Sequence, residues 1–563
     1  MIDDKIEHIR QAVVEGGYEV IGDMCQNALD EGIPPKDILM HGLSEGMREM
    51  AGIYGKKGMY LDKVLWSTAA FHFGNSIVAQ AMTQKKTYKG RIVLGVPDGP
   101  WTIGPEIVAA VLDANGFEVI NAGSDVSPDH ITKIARDVDA DIVALGLYLS
   151  YRVSLLKDVH NKLFEYGIRH KIRTIVSGPS TNNAVAVEVG ADAYCADASE
   201  IAETAQRFII ELKNAMSSKE RVLASMAIKE PDRVPLVPFA MTFCARQAGI
   251  PFSEYCNGGR KLAEAEVFTA RKFGWDAVIA SSDVGVYAEA VGAKVEMPHD
   301  DVPRLVGPAI RWDHAAEDFK KLKDPKTYTT RGRLARFMES VKYMKEMVGD
   351  DLAVVGWTEG ALQGAMLLFG ADPKAIFIMK QDPELLKDIL GWYNEFAFEC
   401  ARIMVGYGAD IIGSGESVSY YLSPETFEEF VLPFEKDLYG RINRELGAKV
   451  LIHCCGYVPQ CIRFAPEVNQ YGAIQFDYQV PLGWAKKLIG DRITIMGNLD
   501  CNRILHLSTP DLVQESCKKA IAAAADGGGF WLSGGCEIPR DMPDDNMHAM
   551  LRSCRQYGMY PLH

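Results

Sequence analysis

Apolar side chains recur at helical spacing through the first 85 residues, without the alternation that is typical of strands. Residues three and four positions apart are apolar in four stretches, about residues 6–14, 21–28, 38–50 and 61–82. This periodicity predicts four amphipathic helices that pack as a small bundle over residues 1–85. The polar segment QKKTYKG at residues 84–90 then predicts a linker.

Residues 91–212 alternate short apolar runs with amphipathic stretches. The runs are residues 91–96, 117–121, 141–147, 173–177 and 193–196. Strands that alternate with helices predict an α/β domain with a doubly wound parallel sheet. The ligand crevice of such a sheet lies at the carboxyl ends of its strands.

The remaining chain, residues 220–563, repeats the same alternation eight times. The strand candidates are residues 235–240, 276–280, 352–357, 410–413, 449–453, 473–477, 493–497 and 530–533. Eight strand–helix pairs over this length predict a (β/α)8 TIM barrel. Catalytic groups of that fold sit at the carboxyl ends of the strands.

Two of these barrel strands end in soft metal ligands. Residues 449–456 read KVLIHCCG, so His453 and Cys455 leave an extended strand on one face and Cys454 leaves it on the other. Cys536 follows the run FWLS after two glycines. One imidazole and two thiolates predict a zinc site with an open fourth position, which is the catalytic arrangement. The alternative is that these are ordinary buried cysteines.

Further polar residues end other barrel strands. They are Asp283, Glu359, Glu416, Asp477 and Asn498. We interpret Glu416 and Asp283 as candidates for a catalytic carboxylate or a fourth zinc ligand, with a purely structural role as the alternative. Some of these groups are expected only to hold loops.

The composition argues against several classes of partner. A formal charge of −15 without a long basic run argues against nucleic acid and against an anionic membrane surface, so small molecules are the expected partners. Twelve irregularly spaced cysteines and the polar start MIDDK predict a reducing, cytoplasmic location. No apolar run reaches membrane-spanning length.

Short motifs are spread over about residues 220–560. They are ERVLA at 220, DRVP at 232, LSPETF at 422, HCCG at 453, MGNL at 496 and GGCEIP at 534. These motifs resemble the uroporphyrinogen decarboxylase superfamily, and within it the zinc-dependent corrinoid methyltransferases that act with methanol, methylamine or methoxylated substrates. The resemblance implies that His453, Cys455 and Cys536 hold zinc.

A second resemblance covers the first 212 residues. Residues 55–71 are similar to the helical cap of the corrinoid-binding module of methionine synthase and its relatives, and residues 103–123 follow the core of its flavodoxin-like domain. The resemblance implies a corrinoid (cobalamin) cofactor, with Ser177 and Gly178 at its nucleotide tail. The module's serine in the preceding loop aligns with Gly146, and Ser150 lies nearby.

The cobalt-ligating motif of that module is altered in this chain. The module carries Asp-x-His-x-x-Gly, whereas residues 99–104 read GPWTIG, with Trp101 at the histidine position, Gly99 at the aspartate position and Gly104 retained. An indole has no lone pair to offer a metal. We therefore expect a corrinoid without a histidine ligand, with water or the cofactor's own base below cobalt. A different flat or nucleotide-like ligand, or a relic domain, is the alternative.

The role of Trp101 has two interpretations. Its indole could press on the lower corrin face as an apolar spacer, or it could be part of the core packing.

These features predict a corrinoid-dependent methyltransferase that moves a methyl group between cobalt and a small thiol or methylated substrate at zinc. The alternatives are a porphyrinogen decarboxylase and a non-catalytic corrinoid carrier or sensor. Of the two substrate-binding arginines of the decarboxylases, only Arg246 is present and Ile250 takes the second place, which argues against a polycarboxylate substrate. A separate corrinoid protein, a reductive activase and a homodimer are partners that the resemblance leaves open.

Overall fold

The computed structural model describes residues 2–57, 61–81, 87–169, 171–457, 459, 462 and 471–562. It divides into two compact units, Met1–Ala215 and Met216–His563, here called the N-terminal and C-terminal units. Residues 84–86 of the predicted linker and residues 58–60 of the cap-like segment lie outside the described residues. No helix in the described ranges combines the length and the hydropathy needed to cross a membrane.

The N-terminal unit begins with the predicted helical bundle. Its helical segments are Ile2–Glu15, Tyr18–Asp30, Pro35–Asp37, Ile38–Leu43, Ser44–Lys57 and Leu61–Ala81. The third, fourth and fifth segments follow one another without a break, so the chain forms four helices as the periodicity predicts. Their apolar faces meet in one core that includes Ile9, Val13, Ile21 and Met47.

A five-stranded parallel sheet follows the bundle. Its strands are β1 (Arg91–Val96), β2 (Glu118–Ser124), β3 (Ile142–Gly146), β4 (Arg173–Ser177) and β5 (Ala193–Tyr194), and the helical segments beside them are Ile103–Ala114, Pro128–Asp137, Ser150–Arg152, Val153–Glu165, Asn183–Val189 and Ala198–Lys213. The order β2-β1-β3-β4-β5 is that of flavodoxin-like folds, which confirms the doubly wound sheet.

The C-terminal unit contains seven parallel strands in one sheet. They are β6 (Ala277–Ala280), β9 (Ala353–Glu359), β10 (Ile411–Gly415), β11 (Lys449–Cys454), β12 (Tyr471–Phe476), β13 (Thr494–Leu499) and β14 (Phe530–Gly534), in the order β14-β13-β12-β11-β10-β9-β6. The hairpin of β7 (Lys294–Glu296) and β8 (Arg304–Gly307) is an unpredicted insertion.

Helices surround this sheet. They are Ser218–Met226, Thr242–Gln247, Phe252–Cys256, Arg260–Phe273, Val286–Val291, Ala315–Phe319, Gly332–Val348, Ala361–Leu368, Ile378–Gln381, Pro383–Gly406, Pro424–Phe430, Leu432–Leu446, Leu482–Ile489, Pro510–Ala524 and Asp544–Tyr557. Short 3-10 or π-helical turns occur at Trp312–His314, Pro325–Tyr328, Pro373–Phe377, Ser417–Tyr421 and Cys501–His506.

The first predicted barrel strand, residues 235–240, is not a regular strand. Val237 N donates to Leu532 O of β14 at 3.1 Å, and Asp276 N, just before β6, donates to Leu236 O at 2.8 Å. The segment thus joins the two edge strands and completes the barrel. Pro235 and the proline at position 238 have no N–H, so a continuous ladder cannot form there.

The motifs ERVLA and DRVP form ion pairs at the amino-terminal ends of the barrel strands. Arg221 contacts Asp232 and Asp276 at 2.6 Å each, and Arg233 contacts Asp276 at 2.9 Å. Asp276 is completely buried, so its charge requires these partners. These motifs therefore stabilise the fold, and they lie at the end of the barrel opposite to the predicted zinc ligands.

Candidate functional site

Three predicted metal ligands converge at the carboxyl ends of β11 and β14. His453 is the second-last residue of β11, Cys455 follows that strand, and Cys536 follows β14. Cys454 is completely buried in the hydrophobic core, as the period of two predicts. Cys454 is therefore an ordinary buried cysteine, which was the alternative to a metal ligand. Cys455 and Cys536 are only partly buried.

The donor atoms of these residues form a compact group. His453 Nε2 lies 2.9 Å from Cys455 Sγ and 3.8 Å from Cys536 Sγ, and the two sulfurs are 3.5 Å apart. All three atoms lie within 4.8 Å of one another, and in the described part of the chain this is the one such group. One nitrogen and two sulfurs fit zinc with a fourth position left for substrate.

The protonation of the three groups is coupled. The hydrogen bond from Cys536, followed by the contact with His453, holds the pKa of the Cys455 thiol well below its usual range. The same bond to Cys455, together with burial, raises the pKa of Cys536. Burial lowers the pKa of His453, but the contact with Cys455 outweighs it and raises that pKa overall. The group therefore favours a thiolate at Cys455, which is the form that binds metals.

Gln475 orients the imidazole and was missed in the sequence. It lies beside His453 in the register of β11 and β12. Its Oε1 accepts the Nδ1–H of His453 at 2.8 Å, and its Nε2 donates to Gly534 O at 2.9 Å. A proton held on Nδ1 leaves the Nε2 lone pair directed at the sulfurs. A single amide residue within the apolar run GAIQF was the feature of the sequence that could have indicated Gln475.

Gly456 sets the backbone beside Cys455. Its φ of +77° lies in the left-handed region, and a Cβ at this position would overlap the Tyr420 ring. Glycine is therefore required both by conformation and by space. Tyr420, Tyr457 and Tyr478 are each about half exposed and follow the carboxyl ends of β10, β11 and β12.

Two carboxyl groups are buried at the ends of neighbouring strands. Glu359 ends β9, where burial raises its pKa to about 8, and it interacts electrostatically with His453. Glu416 follows β10, and its backbone N–H donates to His453 O at 2.9 Å. A Cβ at Gly360 would overlap the Glu416 carboxyl group, and a Cβ at Gly415 would overlap that of Glu359. These glycines make room for the carboxyl groups.

Asp283 lies at the end of the β6 segment in a buried ion pair. Its carboxylate contacts Arg333 through both oxygens and accepts the Gly285 N–H at 3.0 Å. Neither Asp283 nor Glu416 belongs to the three-residue donor group formed by the described residues. The contacts of Asp283 match the structural alternative considered for it.

Other candidates from the sequence hold loops or helices. Asn498 Nδ2 donates to the backbone oxygen of Asp477 at 3.0 Å and to that of Val480 at 2.6 Å. Arg246 donates to Met542 O at 2.9 Å and to Asp544 Oδ1 at 3.0 Å. The one remaining arginine of the decarboxylase motif is thus engaged within the protein.

The N-terminal unit has a cavity of about 720 Å³ at the carboxyl ends of β1, β3 and β4. Most of the side chains around it are apolar, among them Leu94, Val96, Leu145, Ile175 and Ile201. Its size and apolar lining suit a ligand of several rings.

The predicted cofactor residues are distributed unevenly around this cavity. Trp101, Gly104, Ser177 and Gly178 line it, and so does Gly146. Ser150 does not line it, because β3 has ended and the chain has turned into the short helix Ser150–Arg152, where Ser150 is exposed. Gly146 lines the cavity at the aligned position, and the role of Ser150 as a cofactor residue stays a prediction.

Aromatic rings occupy the altered motif. Trp101 stacks on Tyr148 with ring centroids 5.3 Å apart and planes inclined by 24°, and Trp101 is 41% exposed. The lining residues described for this cavity include no histidine. His130 lies on Pro128–Asp137, is exposed, and is not one of the lining residues.

Comparison with protein families divides the chain in the same way. The family described as Uroporphyrinogen decarboxylase (URO-D) matches residues 217–557. Two families described as B12 binding domain match residues 90–206 and residues 5–77.

Individual relatives match separate parts of the chain. A corrinoid protein of Desulfitobacterium hafniense is 29% identical over 215 residues, which cover 37% of this chain and 99% of the relative. The methylcobamide:CoM methyltransferase MtbA of Methanosarcina acetivorans is 26% identical over 346 residues, 60% of this chain and 98% of the relative. A solved methyltransferase structure from Methanosarcina mazei shares the fold with a TM-score of 0.55 at 22% identity, covering 61% of this chain and 99% of its own.

Proposed function

Because this chain belongs to the uroporphyrinogen decarboxylase (URO-D) family, and because its other unit matches B12 binding domains, we propose that it is a corrinoid-dependent methyltransferase. It moves a methyl group between a cobalt corrinoid and a small thiol or methylated substrate. Relatives named as corrinoid proteins and as a methylcobamide:CoM methyltransferase match the two parts separately. The fusion would keep both partners at high effective concentration.

The observation that carries this proposal is the donor group His453, Cys455 and Cys536, whose atoms lie within 4.8 Å at the barrel's carboxyl end. We propose that these residues hold one zinc ion. When bound, zinc stabilises a substrate thiolate or polarises a methyl-bearing heteroatom at neutral pH. Two thiolates and an imidazole make the site nearly neutral, so a bound thiolate stays electron-rich.

The residues around the donor group have supporting roles in this proposal. Gln475 keeps the Nδ1 proton on His453 so that Nε2 faces the metal position. Glu416 fixes the end of β11 through its N–H bond to His453 O. Asp283 positions Arg333 at the end of the β6 segment. We propose Glu416 and Asp283 as positioning residues, since both carboxylates are engaged with neighbours.

The N-terminal unit supplies the corrinoid-binding part of the proposal. The apolar cavity of about 720 Å³ is suited to the nucleotide tail, with Ser177, Gly178 and Gly104 at its lining. We propose that the corrinoid is held without a histidine below cobalt, because the motif position is Trp101 and the cavity lining described here contains no histidine.

The proposal is tested by mixing the purified protein with methylcobalamin and a panel of thiols, and separately with cobalt(I) corrinoid and methylated donors. The corrinoid absorption spectrum should convert in at least one direction, and removal of zinc should stop the conversion. Absence of any zinc-dependent conversion, with loss of carboxyl groups from a porphyrinogen, would favour the decarboxylase instead. Bound corrinoid without turnover would favour a carrier or sensor.

The remaining partners and the location stay proposals of the same kind. We propose a small-molecule methyl donor or thiol acceptor, without nucleic acid or membrane. A separate corrinoid protein, a reductive activase and a homodimer are compatible with this chemistry. The charge of −15 and the free cysteines favour a cytoplasmic location.

A further inference from the structure

Side chains at the ends of three strands, β1, β2 and β4, form hydrogen bonds with the backbone of the stacked pair Trp101 and Tyr148. Asp98 Oδ2 accepts the N–H groups of Tyr148 at 2.7 Å and of the next residue at 2.6 Å. Ser124 Oγ donates to Trp101 O at 2.6 Å, and Ser180 Oγ donates to Tyr148 O at 2.7 Å. These bonds connect the backbone of the loops after β1 and β3, and these loops carry the two stacked rings.

Two glycines of the altered motif make room for this pair. A Cβ at Gly99 would lie 2.7 Å from the indole nitrogen of Trp101, and the φ of Gly99 is +148°. A Cβ at Gly104 would overlap the Tyr148 hydroxyl group. The replacement of histidine by Trp101 is thus matched by the glycine that replaces the aspartate. This fit argues for a built aromatic surface and against a decayed motif.

We propose that the Trp101–Tyr148 pair is the surface on which the corrin ring rests, and that the chain retains its corrinoid by this contact and by burial of the nucleotide tail, without a bond from the protein to cobalt. The inference rests on the proposed corrinoid-dependent function. Trp101 is 41% exposed at the edge of the apolar cavity, so it offers a flat face that a planar ring can cover.

Retention by stacking predicts that removal of the Trp101 ring weakens binding by the same factor in every state of cobalt. The absolute Kd values differ, because burial of the nucleotide tail detaches the cofactor's base from cobalt at a cost that depends on that state. The full-length protein would be titrated with aquacobalamin, cobalt(II) cobalamin and methylcobalamin, and binding followed by dialysis and absorption. The ratio of the Kd of Trp101→Ala to the Kd of the native chain should agree among the three forms within about threefold. Trp101→Ala should weaken all three about tenfold or more, the range found when an aromatic stacking partner is removed, whereas Trp101→Phe should retain most of the affinity.

Matched controls separate the ring contact from other effects. Tyr151→Ala removes a side chain that is 76% exposed, three positions beyond Tyr148 and outside the cavity lining, and should leave Kd unchanged. Cobinamide, which has the ring but lacks the nucleotide tail, should bind weakly to the native chain. Its residual binding should still decrease in Trp101→Ala. Thermal unfolding of each variant checks that the N-terminal unit remains folded.

The outcomes distinguish this inference from the proposed function. Equal Kd values for Trp101→Ala, Trp101→Phe and the native chain would overturn the inference while leaving methyl transfer intact. A histidine coupling in the electron paramagnetic resonance of the cobalt(II) form, removable by isotope labelling, would overturn it as well. If the native chain bound no corrinoid in any state, the inference and the corrinoid part of the proposed function would both fail.

Discussion

The two units of this chain place their candidate ligand-binding groups at the same kind of position, the carboxyl ends of parallel strands, but with different chemistry. In the C-terminal unit, three soft donors lie within 4.8 Å, and Gln475 holds the imidazole in orientation. In the N-terminal unit, the equivalent edge carries the stacked rings of Trp101 and Tyr148 beside an apolar cavity.

Strand ends thus provide a location, and individual side chains decide the chemistry there. In the barrel, a change of one donor would remove a metal ligand. In the flavodoxin-like sheet, the ligand position of the related module has already changed, and the surrounding loops fit the replacement. One unit is therefore expected to depend on coordination and the other on apolar contact.

The largest expected effect is loss of zinc from the barrel. Cys455→Ala or Cys536→Ala removes one of the three proposed zinc ligands, so zinc should be lost on dialysis against a mild chelator, with a decrease in affinity of several orders of magnitude. Metal analysis measures the ratio of zinc to protein. Cys454→Ala is the control, because its side chain faces the core. Full zinc in both ligand variants would mean that the assignment is wrong.

The second effect is a pH dependence of the free energy of unfolding of the C-terminal unit. Glu266 is buried with Tyr255 OH donating to it at 2.7 Å, and burial raises its pKa to about 8. Between about pH 4.5 and 8 the folded state keeps a proton that the unfolded state has lost, so the free energy of unfolding falls as pH rises through this window. The decrease could reach about 5 kcal/mol at 1.36 kcal/mol per pKa unit.

Glu266→Gln tests this pH dependence because it keeps the shape and the acceptor but cannot ionise. Urea unfolding at pH 5 and pH 8.5 should show a smaller difference in the variant's barrel transition than in the native one. The transition of the N-terminal unit should be the same in both proteins. If the free energy of unfolding of the barrel depended on pH equally in Glu266→Gln and in the native protein, other groups would be responsible for that dependence.

The third effect is a weakening of zinc binding without loss of a ligand. Gln475→Ala leaves the His453 Nδ1–H without its acceptor, so the imidazole is less well oriented, and zinc affinity should fall about 10- to 100-fold. Competition with a coloured chelator measures the change. Gln475→Glu keeps an acceptor and should bind zinc at least as well as the native protein. An unchanged affinity in Gln475→Ala would show that the bond is not needed for orientation.

The smallest effect separates backbone strain from crowding beside Cys455. Gly456→Ala and Gly447→Ala both place a side chain at positive φ, at +77° and +69°. Each should lower the free energy of unfolding by about 1–2 kcal/mol. Only Gly456→Ala also meets the Tyr420 ring, whereas a Cβ at Gly447 has open space around it. Gly456→Ala should therefore unfold at the lower temperature and lose some zinc affinity, and equal behaviour would exclude a role for crowding.

The architecture and the chemical capacity of single residues could be predicted from the order of the amino acids. Alternation of apolar runs with helical stretches identified both parallel sheets, because strands covered by helices on both faces are apolar throughout. A period of two placed His453 and Cys455 on one face and Cys454 on the other. The indole at Trp101 excluded coordination, whatever its surroundings.

The groups that meet in space could be identified only from the folded chain. Cys536 reaches Cys455 because β14 lies across the curled sheet from β11, and Gln475 reaches His453 through the register of adjacent strands. Periodicity reports only which face of its own strand a side chain occupies. Strand order and register depend on contacts between residues far apart in the chain. For the same reason the ion pair of Asp283 with Arg333 could not be predicted from the sequence.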